Sequence, residues 1–238
     1  PAARNALSMA LMRALRRALD WAATQRECRV VVLAGAGPAF CAGHDLRELR
    51  SDPSREAYER VFAECSAMMQ QIVALPKPVI AEVHGIATAA GCQLAATCDL
   101  AVAAEDSRFA TPGVNIGLFC STPMVALTRA VGRKPAMEML LTGDLIDAAT
   151  AKAIGLVNRV APSAELSAAT LKLARQIAAK SAFTVAIGKE AFYRQAEMGL
   201  ADAYRYAGEV MTRNMLARDA GEGIDAFLAK RAPVWRDA

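Results

Sequence analysis

The stretch Val79–Leu100 restricts the fold of this 238-residue chain more than any other segment: Val-Ile-Ala-Glu-Val-His-Gly-Ile-Ala-Thr-Ala-Ala-Gly-Cys-Gln-Leu-Ala-Ala-Thr-Cys-Asp-Leu. Val79–Val83 reads as a buried strand, Gly85–Gly91 as a tight corner of small residues, and a helix begins near Gly91. A helix entered through such a corner starts with backbone N–H groups that have no partner within the helix. That end carries partial positive charge and suits an oxyanion.

The same order recurs along the chain. Val30–Leu33 is a continuous apolar run that suits a strand covered on both faces, and it stops at Gly35-Ala36-Gly37-Pro38. Ala39–Leu46 forms a second small-residue corner. Further strands are predicted at Leu100–Ala103 and Leu156–Val160, linked through helices with no hairpin signal, which predicts parallel pairing and an α/β class. The helices are predicted at Asn5–Gln25, Arg55–Leu75, Thr122–Val131, Pro135–Leu141 and Ala148–Ile154.

In the first helix Asn5 is the expected N-cap, Leu7, Leu11, Leu15, Ala18 and Ala22 form the apolar stripe, and Arg13, Arg16 and Arg17 form a solvated face. Val61, Phe62, Cys65, Met68, Met69 and Ile72 form the apolar face of the second, which Pro76 and Pro78 end. Gly132 and Gly155 are read as helix stops. Arg47–Pro53 reads as a mobile polar segment and Phe109–Ser121 as irregular. From Ser163 the chain is helical, with Ser163 and Ser181 as caps and Leu166, Leu171, Leu173 and Ile177 as apolar positions. This tail is too long to cap one sheet and is expected to cover a neighbouring copy.

A net charge of +4 suits a small anionic ligand better than nucleic acid. The longest uncharged run, Phe109–Thr128, holds two prolines and two glycines, so no membrane span is expected. Six cysteines lie scattered without a C-x-x-C pair and only two histidines occur, which predicts core thiols in a reducing compartment and no metal site.

The corners Ala42-Gly43-His44-Asp45-Leu46 and Ala90-Gly91-Cys92-Gln93, with Asp99-Leu100 after them, resemble the crotonase (enoyl-CoA hydratase/isomerase) superfamily. Arg4-Asn5-Ala6-Leu7, Pro78-Val79-Ile80-Ala81, Leu141-Thr142-Gly143, Ala153–Val157 and Phe227–Arg231 match in collinear order. Phe109–Pro123 looks more narrowly like the enoyl-CoA hydratase domain-containing protein 3 group.

The resemblance implies a crotonase-like ββα superhelical spiral over residues 1–162, with the family's usual first strand lying before these residues. It implies a helical trimerisation region over 163–238, and trimers that pair into hexamers. It implies acyl-CoA or enoyl-CoA substrates, with coenzyme A as part of the substrate and no separate cofactor. The thioester oxygen would sit between the backbone N–H groups of His44 and Ala90. The coenzyme would run along Ala2, Ala3, Arg4, Ala42, Asp45 and Leu46 beside Gly91, with Phe227 and Lys230 reaching a coenzyme bound next door. It also implies a cytoplasmic location in a bacterium and the mitochondrial matrix in a eukaryote.

Gln93 and Gly113 stand where the resembling hydratases carry their two glutamates. An amide holds water but does not exchange a proton at neutral pH, so hydratase turnover by the usual route is expected to be weak. The His44 side chain is a candidate proton shuttle, Asn115 a candidate to orient water, and Cys120 or Ser121 a candidate nucleophile needing an adjacent base. Asp45 and Asp99 read as corner and cap residues, and His84 as structural. The competing readings are a non-catalytic acyl-CoA-binding protein, another CoA-thioester reaction (isomerase or hydrolase), and a serine hydrolase on a Clp-like spiral.

Overall fold

The structure is a computed structural model describing residues 1–238. The first helix, α1 (Met9–Thr24), starts three residues later than expected because Ser8 is its cap, accepting the Leu11 N–H. Asn5 has a different role. It adopts φ 53° and its amide donates to the carbonyls of Ala36, Ala39 and Phe40, pinning the N-terminal segment to the turn after β1 (Val31–Ala34). The buried stripe of α1 runs through Met12, Leu19 and Ala22; Ala18 is exposed. Arg16 is not merely solvated, since it donates to Gln71 and Glu64 on a neighbouring helix.

The supposed mobile segment contains a helix, α2 (Leu46–Ser51), nucleated by the Asp45 carboxylate, which accepts the N–H groups of Arg47 and Glu48. Glu48 in turn accepts the Met9 N–H and ties α2 to the start of α1. Next comes α3 (Arg55–Ala74), packed on α1 through the expected face, with Phe62 at its exposed margin.

The strand β2 (Val79–Val83) spans the residues expected of it. The corner after it holds a short strand, β3 (Ile86–Thr88), before α4 (Ala90–Thr97). Then follow β4 (Leu100–Ala104), β5 (Arg108–Ala110), a 3-10 turn at Pro112–Ile116, and the helices α5 (Ser121–Ala130) and α6 (Arg133–Thr142). Gly132 does not close α5; it has φ −61° and opens α6. The chain continues through β6 (Ile146–Asp147), α7 (Ala148–Ala153), and β7 (Arg159–Ala161), which lies later than the strand expected at Leu156.

Two sheets result. A four-stranded sheet runs β1-β2-β4-β7, all parallel, and a three-stranded sheet runs β3-β5-β6. The four strands expected to pair in parallel do so, and the antiparallel β5–β6 pair is formed by two short strands not expected from the sequence. β1 lies at the sheet edge and is only half-buried, not covered on both faces. The main core fills the space between these sheets, α1, α3, α4 and α5, with Met68, Met69, Cys65 and Cys92 as packing residues.

Four helices complete the chain: α8 (Leu166–Ala178), α9 (Ala182–Ala196), α10 (Leu200–Met215) and α11 (Arg218–Leu228). Ser181 caps α9 as expected, whereas the Ser163 hydroxyl bonds Asp106 and Leu171 is exposed. α8 covers the outer face of the four-stranded sheet through Leu166, Leu173 and Ala174 against Ile80, Val102 and Ala104. α10 buries no residue, and Leu200, Tyr204, Met211, Leu216 and, on α11, Phe227 are exposed. No helix is long and apolar enough to cross a membrane.

Candidate active site

The two small-residue corners meet. Cys41 pairs in parallel with Ala87, its N–H donating to the Ile86 carbonyl and its own carbonyl accepting the Thr88 N–H at 3.0 Å. Leu7 pairs with His44 on the other side, and the Ala42 N–H reaches the Arg4 carbonyl at 3.0 Å. Cys41–Asp45 is therefore threaded between the N-terminal segment and β3.

Gly91 permits this contact, because a Cβ there would lie 2.0 Å from the Cys41 carbonyl oxygen. Gly43, at φ +95°, is as constrained: its Cβ would lie 3.0 Å from the Ala89 Cβ and 3.4 Å from the Ala90 nitrogen. Ala89 itself is held at φ 51°, ψ −119°, a conformation strained for any residue with a side chain, and its N–H is fixed by the Ala110 carbonyl at 2.9 Å.

This threading leaves the backbone N–H groups of His44 and Ala90 without any acceptor in the protein. Ala90 is buried, and an N–H left unpaired inside a fold costs about 1–3 kcal/mol. The two donors come from adjacent segments, and one of them opens α4, where the helix dipole reinforces it.

The His44 ring lies edge-on to Phe62, with centroids 5.7 Å apart, and its Nδ1 is 3.3 Å from the Leu7 carbonyl. Burial pushes its pKa below the ordinary value, against the Leu7 carbonyl and Glu48, which favour the proton. The imidazole is therefore neutral at pH 7, with Nδ1–H donating to Leu7 and Nε2 buried without a partner. Gln93, 5 % exposed, makes no side-chain hydrogen bond, and its Oε1 is buried without a partner.

Gly113 faces a wall: a Cβ there would lie 2.6 Å from the Leu118 carbonyl oxygen and 2.9 Å from the Cys120 sulfur. Cys120 is buried and its thiol pKa is raised by that burial; burial pushes Cys92 up to about 12. Neither is a thiolate at neutral pH. Ser121 bonds only the Phe119 carbonyl, and Asn115 is exposed beside Gly143. His84 bonds the Gly37 carbonyl at 2.7 Å, a structural contact.

Two cavities flank the corner. One of about 490 Å³ is lined by Ala2, Ala3, Arg4, His44, Asp45 and Leu46, with Ala6 and Arg47 beside them. The other, about 700 Å³ and mostly apolar, lies along α4 from Gln93 to its C-terminal end and is closed by Met69, Val125, Phe192 and Tyr193. Ala42 is joined to Arg4, whereas Phe227 on α11 and Lys230 in the turn after it are exposed and line neither cavity.

The whole chain, residues 1–238, matches the sequence profile of the enoyl-CoA hydratase/isomerase family. It belongs to that family. Among curated relatives, human mitochondrial enoyl-CoA hydratase domain-containing protein 3 is 49% identical over 235 residues, covering 99% of this chain and 78% of the relative. A putative enoyl-CoA hydratase of Thermus thermophilus is 39% identical over 98% of the chain and 93% of its own length. The crystal structure of an enoyl-CoA hydratase from Mycobacterium smegmatis superposes with a TM-score of 0.97 at 55% identity, covering 99% of this chain and 91% of that one. The human domain-containing protein 3 structure gives 0.95 at 49% identity, covering 99% and 93%. The chain thus has the crotonase fold and falls with the domain-containing protein 3 group.

Sequence reasoning missed Arg47, which joins Arg4 at the smaller cavity, and the true role of Asp99. Asp99 accepts Lys189 Nζ at 2.7 Å, Tyr193 Oη at 2.8 Å and the Val79 N–H at 2.7 Å. This clamp holds α9 against the larger cavity.

Proposed function

We propose that the chain is an acyl-CoA thioester enzyme in which the His44 and Ala90 N–H groups receive the thioester oxygen and stabilise an enolate. The observation that carries this reading is the pair of unpaired donors from adjacent backbone segments. A donor of this kind is typically worth roughly 3–4 kcal/mol when aimed at developing negative charge. The coenzyme would lie along Ala2, Ala3, Arg4, Ala42, Asp45 and Leu46 beside Gly91, with Arg4 and Arg47 meeting its phosphates. No cofactor beyond the substrate's own coenzyme A is required, and the site has no feature that suits nucleic acid or a membrane.

Hydration needs one group to activate water and another to protonate the α-carbon, and each typically contributes about 10²–10⁴ in rate. Gln93 and Gly113 supply neither, and the Asp45 carboxylate is engaged in capping α2. Enoyl thioester hydration is therefore expected to be slow, and the reading closest in support is an acyl-CoA-binding protein without turnover. A Ser121 hydrolase lacks a base beside the hydroxyl.

The exposed apolar side chains of α10 and α11 support a homotrimer or a pair of trimers, with Phe227 and Lys230 set against a neighbour's coenzyme. The relatives named mitochondrial support a matrix location for a eukaryotic source, and the bacterial relatives a cytoplasmic one.

The test is Ala90→Pro. Proline is tolerated at the first position of a helix; it removes the donor, sets its Cδ where the oxygen would lie and restricts Ala89, held at φ 51°, so thermal unfolding must show a folded variant. Thioester affinity or turnover across a panel of enoyl-, acyl- and 3-hydroxyacyl-CoA esters should fall roughly 10²-fold or more while the fold persists. Unchanged values would refute the oxyanion reading, and binding without turnover throughout the panel would select the non-catalytic one.

A further inference from the structure

The His44 N–H takes its direction from one short bridge. The Leu7 N–H donates to the Gly43 carbonyl at 2.7 Å, and the Leu7 carbonyl accepts the Asp45 N–H at 3.4 Å. These bonds flank His44, so its own N–H faces the opposite side, away from Leu7. The two are unequal. A backbone bond usually measures about 2.9–3.0 Å, so the Gly43 side is held firmly and the Asp45 side loosely. The segment that follows His44 needs another hold.

Glu48 supplies it. The Asp45 carboxylate accepts the N–H groups of Arg47 and Glu48, which makes α2 a stiff continuation of the corner. From the first turn of α2 the Glu48 carboxylate reaches back across 39 residues of sequence and accepts the Met9 N–H at 2.9 Å. Met9 opens α1, where the N–H groups have no partner within the helix and the dipole favours an anion. The Ser8 hydroxyl takes the Leu11 N–H and leaves Met9 to Glu48. A carboxylate on a backbone N–H is a charge-assisted bond, and this one is partly buried. Leu7–Met9 on one side and Gly43–Glu48 on the other thus close a ring of bonds around His44.

We infer that Glu48 is a positioning residue for the thioester oxygen: its hold on the Met9 N–H keeps the His44 N–H aimed at that oxygen. The inference rests on the thioester reading above and assigns the group that maintains one of its two donors. Glu48 lines neither cavity and acts only through the backbone of the corner.

The experiment compares two ligands that differ by one oxygen: butyryl-CoA, a thioester, and S-butyl-CoA, the thioether without a carbonyl. Calorimetry on the full chain gives the ratio of their affinities, in which the contribution of the coenzyme cancels. The parent is expected to prefer the thioester by about tenfold or more, because the thioether leaves both donors unpaired. Glu48→Ala should cut that ratio to about threefold or less. Glu48→Asp keeps the charge but is one methylene too short for Met9, and should do the same. Glu48→Gln keeps the reach and an acceptor oxygen, and should hold the parent ratio. Ser8→Ala removes the other cap of the same helix end; it should lower the melting temperature and leave the ratio alone.

A parent ratio that persists in Glu48→Asp, a loss in Glu48→Gln as large as in Glu48→Asp, or an equal loss in Ser8→Ala would overturn the inference and leave the thioester reading standing. A ratio near one in the parent would overturn the thioester reading itself. Thermal unfolding of each variant confirms a folded protein, and Glu48→Asp against Glu48→Gln carries the comparison if Glu48→Ala does not fold.

Discussion

Lys189→Met is expected to be the most destabilising single change outside the central packing. Lys189 Nζ donates to the carbonyls of Ile72 and Lys77 at 2.9 and 3.0 Å and to Asp99 at 2.7 Å, and its side chain is only 7% exposed. The reason for a lysine here is written in α3. In a continuing helix the Ile72 carbonyl would accept the N–H of residue 76, but that residue is Pro76, which has none to give. A cation from α9 fills the role and also suits the negative end of α3. Burial lowers the Lys189 pKa, with Asp99 opposing that shift, so the charge persists because of its partner.

Breaking a buried pair from one side typically costs about 3–5 kcal/mol. Asp99 retains the Tyr193 hydroxyl and the Val79 N–H, which argues for the lower end, about 3 kcal/mol. For a chain of this size that corresponds to roughly 6–12 °C in Tm. Scanning calorimetry should show this loss, and Lys189→Met combined with Asp99→Asn should recover part of it, because the orphaned charge is gone. A loss under about 2 °C, or strictly additive effects in the double variant, would refute the account.

Three further outcomes follow from the corner and the C-terminus. Ala89→Gly relieves a strain of about 1–3 kcal/mol against a glycine entropy cost of about 0.5–1, so Tm should rise by a few degrees. Gly91→Ala must displace the Cys41 carbonyl, 2.0 Å from the new Cβ, and should lower both Tm and CoA-ester affinity. Glu222, held by Arg231 and the Val234 N–H, has its carboxyl pKa lowered from 4.5 to about 2. Its contribution is present above pH 4.5 and lost as pH falls toward 2, so Trp235 fluorescence in a Trp21→Phe background should change over that window and not in Glu222→Gln.

Periodicity and small-residue corners were enough to locate β2, α3 and α4, because those signals are local; that the two corners meet followed from the family resemblance alone. What escaped depends on partners distant in sequence. Asp99 reads as a cap until Lys189, 90 residues on, is placed beside it. Asn5 has the chemistry of an N-cap but spends its amide on three carbonyls across the fold, and Ser8 takes the cap. The helix α2 was legible in principle, since Asp45 precedes Glu48 by three positions, the spacing of a capping box. The charge of Arg47–Asp52 obscured it. Of the candidate site, the two backbone donors were implied by the family resemblance, but the unpaired state of Gln93 was not legible, because satisfaction of an amide is decided by every neighbour.

The two halves of this site are under different kinds of control. The unpaired donors depend on backbone shape, which Gly43, Ala89 and Gly91 enforce through contacts no other side chains would permit. A replacement at position 93 leaves that shape untouched, so the side chain there can change while the pair of unpaired donors persists. Position 113 is different. The Gly113 carbonyl accepts the Leu118 N–H at 2.9 Å and closes a turn over the place a side chain would need. Restoring a carboxylate there requires the turn to open, so Gln93→Glu alone should raise hydratase turnover above the parent. Gly113→Glu added to it should gain nothing until Leu118 and Cys120 also give way.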